Sequence, residues 1–200
     1  MIWRRVQTTP RTTLQELHGV FQVVMGWEGI HLFTFNLRGR HYGSVELGVG
    51  SPKISLEELQ LRKGQRFGYE YDLNIPWVHE IRFEGRLPAK SGRTYPCCQA
   101  GAAACPPEDC RGPVEFLARR GSRLSDGGID DLGSLAEFLD EVVLKERREL
   151  LEDGALLDEM RTTLARLDAR RAWEGKPFER KAVNTRLAKG EHLALMHQQF

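Results

Sequence analysis

No run of apolar residues in this sequence is long enough to cross a membrane, and the N-terminal segment MIWRRVQTTP lacks the about seven consecutive apolar residues of a secretory leader. Both absences predict a cytoplasmic chain with no membrane partner. Charge of one sign is missing too: 29 Lys and Arg stand against 28 Asp and Glu, a formal net charge of +1. A broad positive field acting on phosphates is thereby excluded, which leaves room only for a local basic patch. The chain also has no G-x-S-x-G elbow, no glycine-rich phosphate loop and no H-E-x-x-H pair. Internal repeats and low-complexity tracts are absent as well.

Cysteine is scarce but gathered. Cys97, Cys98, Cys105 and Cys110 all fall in the proline-rich stretch YPCCQAGAAACPPEDCRGP, residues 95–113. In a reducing compartment such thiols suit metal ligation or burial better than disulfides. Thiolate and imidazole favour tetrahedral zinc, so Cys98, Cys105 and Cys110, with Cys97 or His79 as the fourth ligand, form the candidate metal set. The spacing is not the paired C-x-x-C knuckle, and the alternative is a set of buried thiols in a loop stiffened by Pro106 and Pro107.

Ahead of this stretch the chain alternates between strand and helix patterns. Trp3 to Val6 predicts a short strand. Thr13 and Glu16 have capping-box spacing, and Leu14, Leu17, Phe21, Val24 and Met25 share one helical face that Gly26 ends. A period of two from His31 to Leu37 predicts a strand, and Arg38-Gly39-Arg40 a turn. Residues 43–53 predict a loop, and Ser55 with Glu58 a short capped helix. Phe67, Tyr69, Tyr71 and Leu73, followed by Trp77, His79, Ile81 and Phe83, predict a hairpin with an aromatic face. Beyond the cysteines come a loop at 121–133, a helix capped by Ser134 with Glu137, a second helix through Leu156 to Leu167, and a last one from Phe178 onward.

The expected architecture is α+β. A mixed sheet drawn from residues 31–87 carries the first helix, so that residues 1–120 form a core with its cysteine-rich loop at 95–113. Residues 121–200 add a helical C-terminal region within the same domain.

Three kinds of site compete with bland alternatives. Glu108 and Asp109 with His79 form a candidate acid–base set, against which His79 and His31 read as core histidines. Arg4, Arg5, Arg38 and Arg40 form a candidate nucleic-acid surface, joined by basic residues of the last helices. Acidic neighbours such as Asp158, Glu159 and Asp168 make those last helices read equally as a solvated face or a protein-partner surface.

The segments WRRV, LHGVFQVVMGW with HLFTF, FGYEYD with WVHEI, YPCC, CPPEDCRGP and F-x-x-x-x-V-N-x-x-L occur in this order, from Trp3 to Leu187. Together they resemble the plasmid pRiA4b ORF-3-like family, also labelled transposon-passenger and resolvase-like. The resemblance implies a compact α+β fold with helices on a mixed sheet, in a plasmid or mobile-element setting, and no particular reaction. This chain begins almost at the tryptophan motif, and it has Asn74-Ile75-Pro76 where the family's hairpin usually carries Gly-Asp. The combined expectation is a non-enzymatic binding or structural module with zinc as a possible cofactor of the cysteine loop. Its rivals are an enzyme using His79, Glu108 and Asp109, and a nucleic-acid-binding accessory protein.

Overall fold

The computed structural model describes residues 1–121, 127–172, 175 and 177–197. Two compact units result: Met1–Glu108 together with Lys176–Phe200, and Asp109–Gly175.

The first unit is built around helix α1 (Leu14–Met25). Thr13 Oγ1 accepts from the Glu16 amide at 3.1 Å while the Glu16 carboxylate accepts from the Thr13 amide at 2.8 Å, which is the capping box that the spacing predicts. Gly26 ends the helix at φ 82°, its amide reaching the Gln22 carbonyl. The expected single apolar face is only half of what is buried. Val20 and Val23 are as inaccessible as Leu14 and Leu17, whereas Phe21 and Met25 are half-buried. Elements pack on both sides of α1, so its second face needs apolar residues too.

On one side lies a four-stranded sheet in the order β3 (Arg40–Gly43), β2 (Phe33–Leu37), β4 (Arg66–Tyr71), β5 (Trp77–Arg82). The α+β class stands, but the sheet expected to be mixed is antiparallel in every pairing of these strands. The reason is local. β2–β3 and β4–β5 are joined by tight turns, and parallel neighbours would need long crossovers. Tyr69 stands opposite Phe35 on one flank and His79 on the other, so the aromatic row forms one face. Ser55 and Glu58 do bond reciprocally, though they close a turn and not a helix.

On the other side is an antiparallel ribbon of β1 (Trp3–Gln7) and β6 (Cys97–Ala102). Residues 97–102 of the segment predicted as a cysteine loop are therefore strand. Helices α5 (Arg180–Ala188) and α6 (Glu191–Leu195) return to this side, and Gly190 at φ 77° separates what the sequence predicts as one helix. Val20, Val23, Val24, Cys98 and Leu187 form one cluster, flanked by Val6, Phe178 and Val183. Asn184 binds β6 twice, accepting from the Cys98 amide at 2.7 Å and donating to its carbonyl at 3.0 Å. The close approach of α6 to α1 requires Gly19, because a Cβ there would lie 2.0 Å from the His192 carbonyl oxygen.

The second unit comprises α2 (Gly112–Gly121), α3 (Gly128–Leu139), a π-helical turn (Asp140–Leu144), a 3-10 turn (Arg148–Leu151) and α4 (Gly154–Ala172). Helix α3 starts before the expected Ser134 cap, whose hydroxyl instead donates to the Asp130 carbonyl within the helix. The expected loop at 121–133 is thus partly helix, and residues 122–126 of it lie outside the described residues. Asp153 caps α4 by accepting from the Ala155 and Leu156 amides. Asp131 joins α3 to α4 through Arg166 and Arg170, each at 2.7 Å, and the pair of guanidiniums holds its carboxyl below the usual range, Arg166 foremost.

Candidate functional site

Polar chemistry in the first unit concentrates where α1 meets the aromatic row. His18 is fully buried and stacks on Phe33 at 3.9 Å with the rings 8° apart. Gln22 Nε2 donates to the Tyr69 hydroxyl at 2.9 Å, and that hydroxyl shares a hydrogen bond of 2.7 Å with His18 Nδ1. Burial pushes the His18 pKa down to about 3 and raises Tyr69 well above its ordinary value. Neither group changes charge near neutrality, so the trio acts as a buried polar tie. His18 and Gln22 were missed in the sequence, although a histidine and a glutamine four apart on an apolar stripe are a readable signal of a shared buried partner.

Glu108 stands at one end of the row. Its carboxylate accepts from the Tyr71 hydroxyl and from the Glu28 amide at 2.6 Å. Trp27 stacks on Tyr71 at 5.2 Å and donates from Nε1 to the Pro106 carbonyl at 2.9 Å. Burial first, then Glu108, raises the Tyr71 pKa above the phenol range, so Tyr71 remains a donor. The carboxylate expected to serve as an acid or base thus has both oxygens engaged and works as a latch for the segment Cys105–Glu108. His31 lies beside this latch, its Nδ1 at 3.9 Å from Asp72 and its amide donating to the Tyr71 hydroxyl at 3.3 Å.

His79 does not join Glu108 in a hydrogen bond. Its Nδ1 meets the Trp77 carbonyl at 2.9 Å, its ring packs on Trp27 and Tyr69, and burial lowers its pKa. β5 directs His79 among aromatic rings while the latch holds Glu108 against Tyr71.

All four cysteines are buried and none forms a disulfide. Cys97 and Cys98 are consecutive on β6 and so project to opposite faces of the ribbon. Cys97 Sγ accepts from Gln99 at 3.1 Å, and Cys98 Sγ donates to the Ala100 carbonyl at 3.5 Å. Burial raises the pKa of the Cys98 and Cys110 thiols. Among the described residues no three His, Cys, Asp or Glu side chains are grouped to hold a metal ion. Protein purified without chelator is expected to carry metal well below one equivalent by elemental analysis. Zinc near one equivalent, retained through gel filtration, would restore the metal assignment of Cys98, Cys105 and Cys110.

The four arginines expected at a nucleic-acid surface separate into distinct roles. Arg4 donates from Nε to the Val24 carbonyl at 2.9 Å and from its terminal nitrogens to Trp3, Ala102 and Ala103 carbonyls, with its guanidinium 4.2 Å over Phe178. It ties β1, α1 and β6 together. Arg5 pairs with Glu84 at 3.1 Å. Arg40 opens β3 in an exposed position. Arg38 lines a cavity of about 550 Å³ with Gln60, Arg62, Lys63 and Gln65, a set with no sequence motif.

Known proteins share this fold and these segments. The family described as Plasmid pRiA4b ORF-3-like protein matches residues 1–121. The segment Phe178–Leu187 that contributes to the resemblance lies beyond that match. The uncharacterized protein y4hQ of Sinorhizobium fredii (strain NBRC 101917 / NGR234) is 32% identical over 119 residues, which is 56% of this chain and 61% of the relative's own length. The crystal structure of MM3350, a protein of unknown function from Methanosarcina mazei Go1, superposes with a TM-score of 0.58 at 31% identity, covering 64% of this chain and 77% of that one. With more than half of its residues matched in order, and a relative and a solved fold agreeing with it, the chain belongs to the plasmid pRiA4b ORF-3-like family.

Proposed function

We propose that the protein is a non-catalytic binding and structural module of plasmid or mobile-element type, which pairs with a second copy of itself through its second unit. The observation that carries this reading is an apolar stripe on α3 and the π-helical turn. Ile129, Leu132, Leu139 and Val143 are 60%, 58%, 56% and 61% exposed, and with Ala136 they repeat at alternating steps of three and four. That is the spacing of a helix seam, running roughly 21 Å at 1.5 Å per residue. The adjacent face carries Leu135, Phe138 and Val142, all half-buried.

A copy of the same chain, lying antiparallel across a two-fold axis, presents the same apolar stripe, so one pairing covers both. Support for a non-catalytic role comes from the engaged state of the groups with acid–base chemistry, Glu108 above all.

Light scattering behind gel filtration is expected to give a dimer mass at tens of micromolar protein. Leu132→Glu with Leu139→Glu should give a monomer with an unchanged circular dichroism spectrum. A wild-type monomer at that concentration would remove the pairing.

A further inference from the structure

The end of the sheet where β2 leaves and β4 enters carries a second feature, independent of self-association. The cavity there, of about 550 Å³, falls within the roughly 300–1,000 Å³ typical of small-molecule sites. Its lining of Arg38, Gln60, Arg62, Lys63 and Gln65 offers three cations and two amides, with no acidic side chain among them. Arg62 and Lys63 have no ion-pair partner among the described residues, so no direct ion pair offsets the charge they bring to the cavity.

The lining is also held in place. Arg38 donates to the Gln60 carbonyl at 3.3 Å and to Gln65 Oε1 at 2.9 Å, and the same Gln65 oxygen accepts from the Arg62 amide at 3.1 Å. The Gly64 amide reaches the Phe83 carbonyl at 2.7 Å and the Phe83 amide reaches Gln65 at 2.8 Å, which carries the β4–β5 ladder past the strand ends and fixes this corner. Two lining residues, Arg38 at φ 52° and Gln60 at φ 46°, sit in the left-handed region without being glycine. Backbone held in that region against its own preference is concentrated at ligand-binding positions.

We propose that this cavity is a binding site for the phosphate group of a small anionic molecule. Arg38 and Arg62 supply planar guanidiniums able to grip two oxygens, Lys63 supplies a point charge, and the glutamine amides address the polar remainder of the ligand. A nucleic-acid backbone offers the same oxygens but lies along a surface and does not end in a cavity, so it is the alternative source that the experiment must separate.

The test is calorimetric titration of the full-length protein with inorganic pyrophosphate, and in parallel with a single-stranded oligonucleotide of about twelve residues. Pyrophosphate is expected to bind, to weaken at least tenfold in Arg62→Gln and in Lys63→Gln, and to bind Arg66→Gln as it binds wild type. Both cavity substitutions are at exposed positions, so their folding is checked by unchanged melting temperature. Absence of pyrophosphate binding at millimolar concentration, an equal loss in Arg66→Gln, or binding by the oligonucleotide alone would overturn the assignment.

Discussion

Gly19→Ala is expected to destabilise the first unit by about 3 kcal/mol, at the upper end of the usual cost of inserting one methyl group into a packed contact. The sign is opposite to the ordinary one, since alanine is better than glycine inside a helix by about 1 kcal/mol. What reverses it is distance. The new Cβ would lie 2.0 Å from the His192 carbonyl oxygen and 3.1 Å from Met196 Cβ, so α6 must withdraw from α1. Withdrawal pulls Leu195 away from the cluster of Val20, Val23 and Leu187 against which it packs. The matched control is Gly133→Ala in α3, where nothing lies within 4 Å, and it should stabilise by up to about 1 kcal/mol. Urea unfolding of both variants decides the matter, and a neutral or stabilising Gly19→Ala would contradict the close helix contact.

Acid should weaken the fold through His18 before its carboxylates are protonated. Its folded pKa is about 3, below the roughly 6.5 of an unfolded chain, so between these values the unfolded state binds the extra proton. Stability therefore falls as pH falls through that window, by about 1.4 kcal/mol per pH unit once well below 6.5. Burial lowers His79 and His192 as well, which adds to the slope with the same sign. Melting temperatures between pH 7 and pH 4 should drop steeply in wild type. They should drop less in His18→Phe, which keeps the stacking on Phe33 but removes the titrating ring. A slope unchanged in that variant would relocate the effect to other groups.

Features determined by near neighbours in the chain were the ones legible in the sequence. The Thr13–Glu16 cap, the Gly26 stop and the aromatic hairpin each depend on contacts within a few residues, and each stands in the structure as read. The strand β6 was hidden because its ladder partner is β1, and because Cys, Gln, Ala and Gly carry no alternation for a period of two to reveal. The early start of α3 was hidden by Gly127 and Gly128, which resemble a loop when nothing shows Asp131 reaching Arg166 and Arg170.

The site candidates divide along the same line. Glu108 was singled out as a candidate acid or base, but its partner Tyr71 was hidden in the aromatic pattern, so a latch looked like an acid. Arg4 and Arg38 looked alike as exposed cations. Only tertiary contacts separate the first, bound to four carbonyls, from the second, which faces a cavity. Gln60, Arg62, Lys63 and Gln65 come from turns whose spacing matches no motif, and convergence of that kind is not written in periodicity.

The paired hydrogen bonds from Asn184 to Cys98 have a consequence for truncation of the chain. A side-chain amide here imitates the next strand, shielding a spot on β6 where a foreign segment could otherwise dock. The residue providing it comes after the whole Asp109–Gly175 excursion. The N-terminal core is thus closed in part by a segment that returns to it from far along the chain, so truncation before Asn184 should unpin β6 even with residues 1–108 intact.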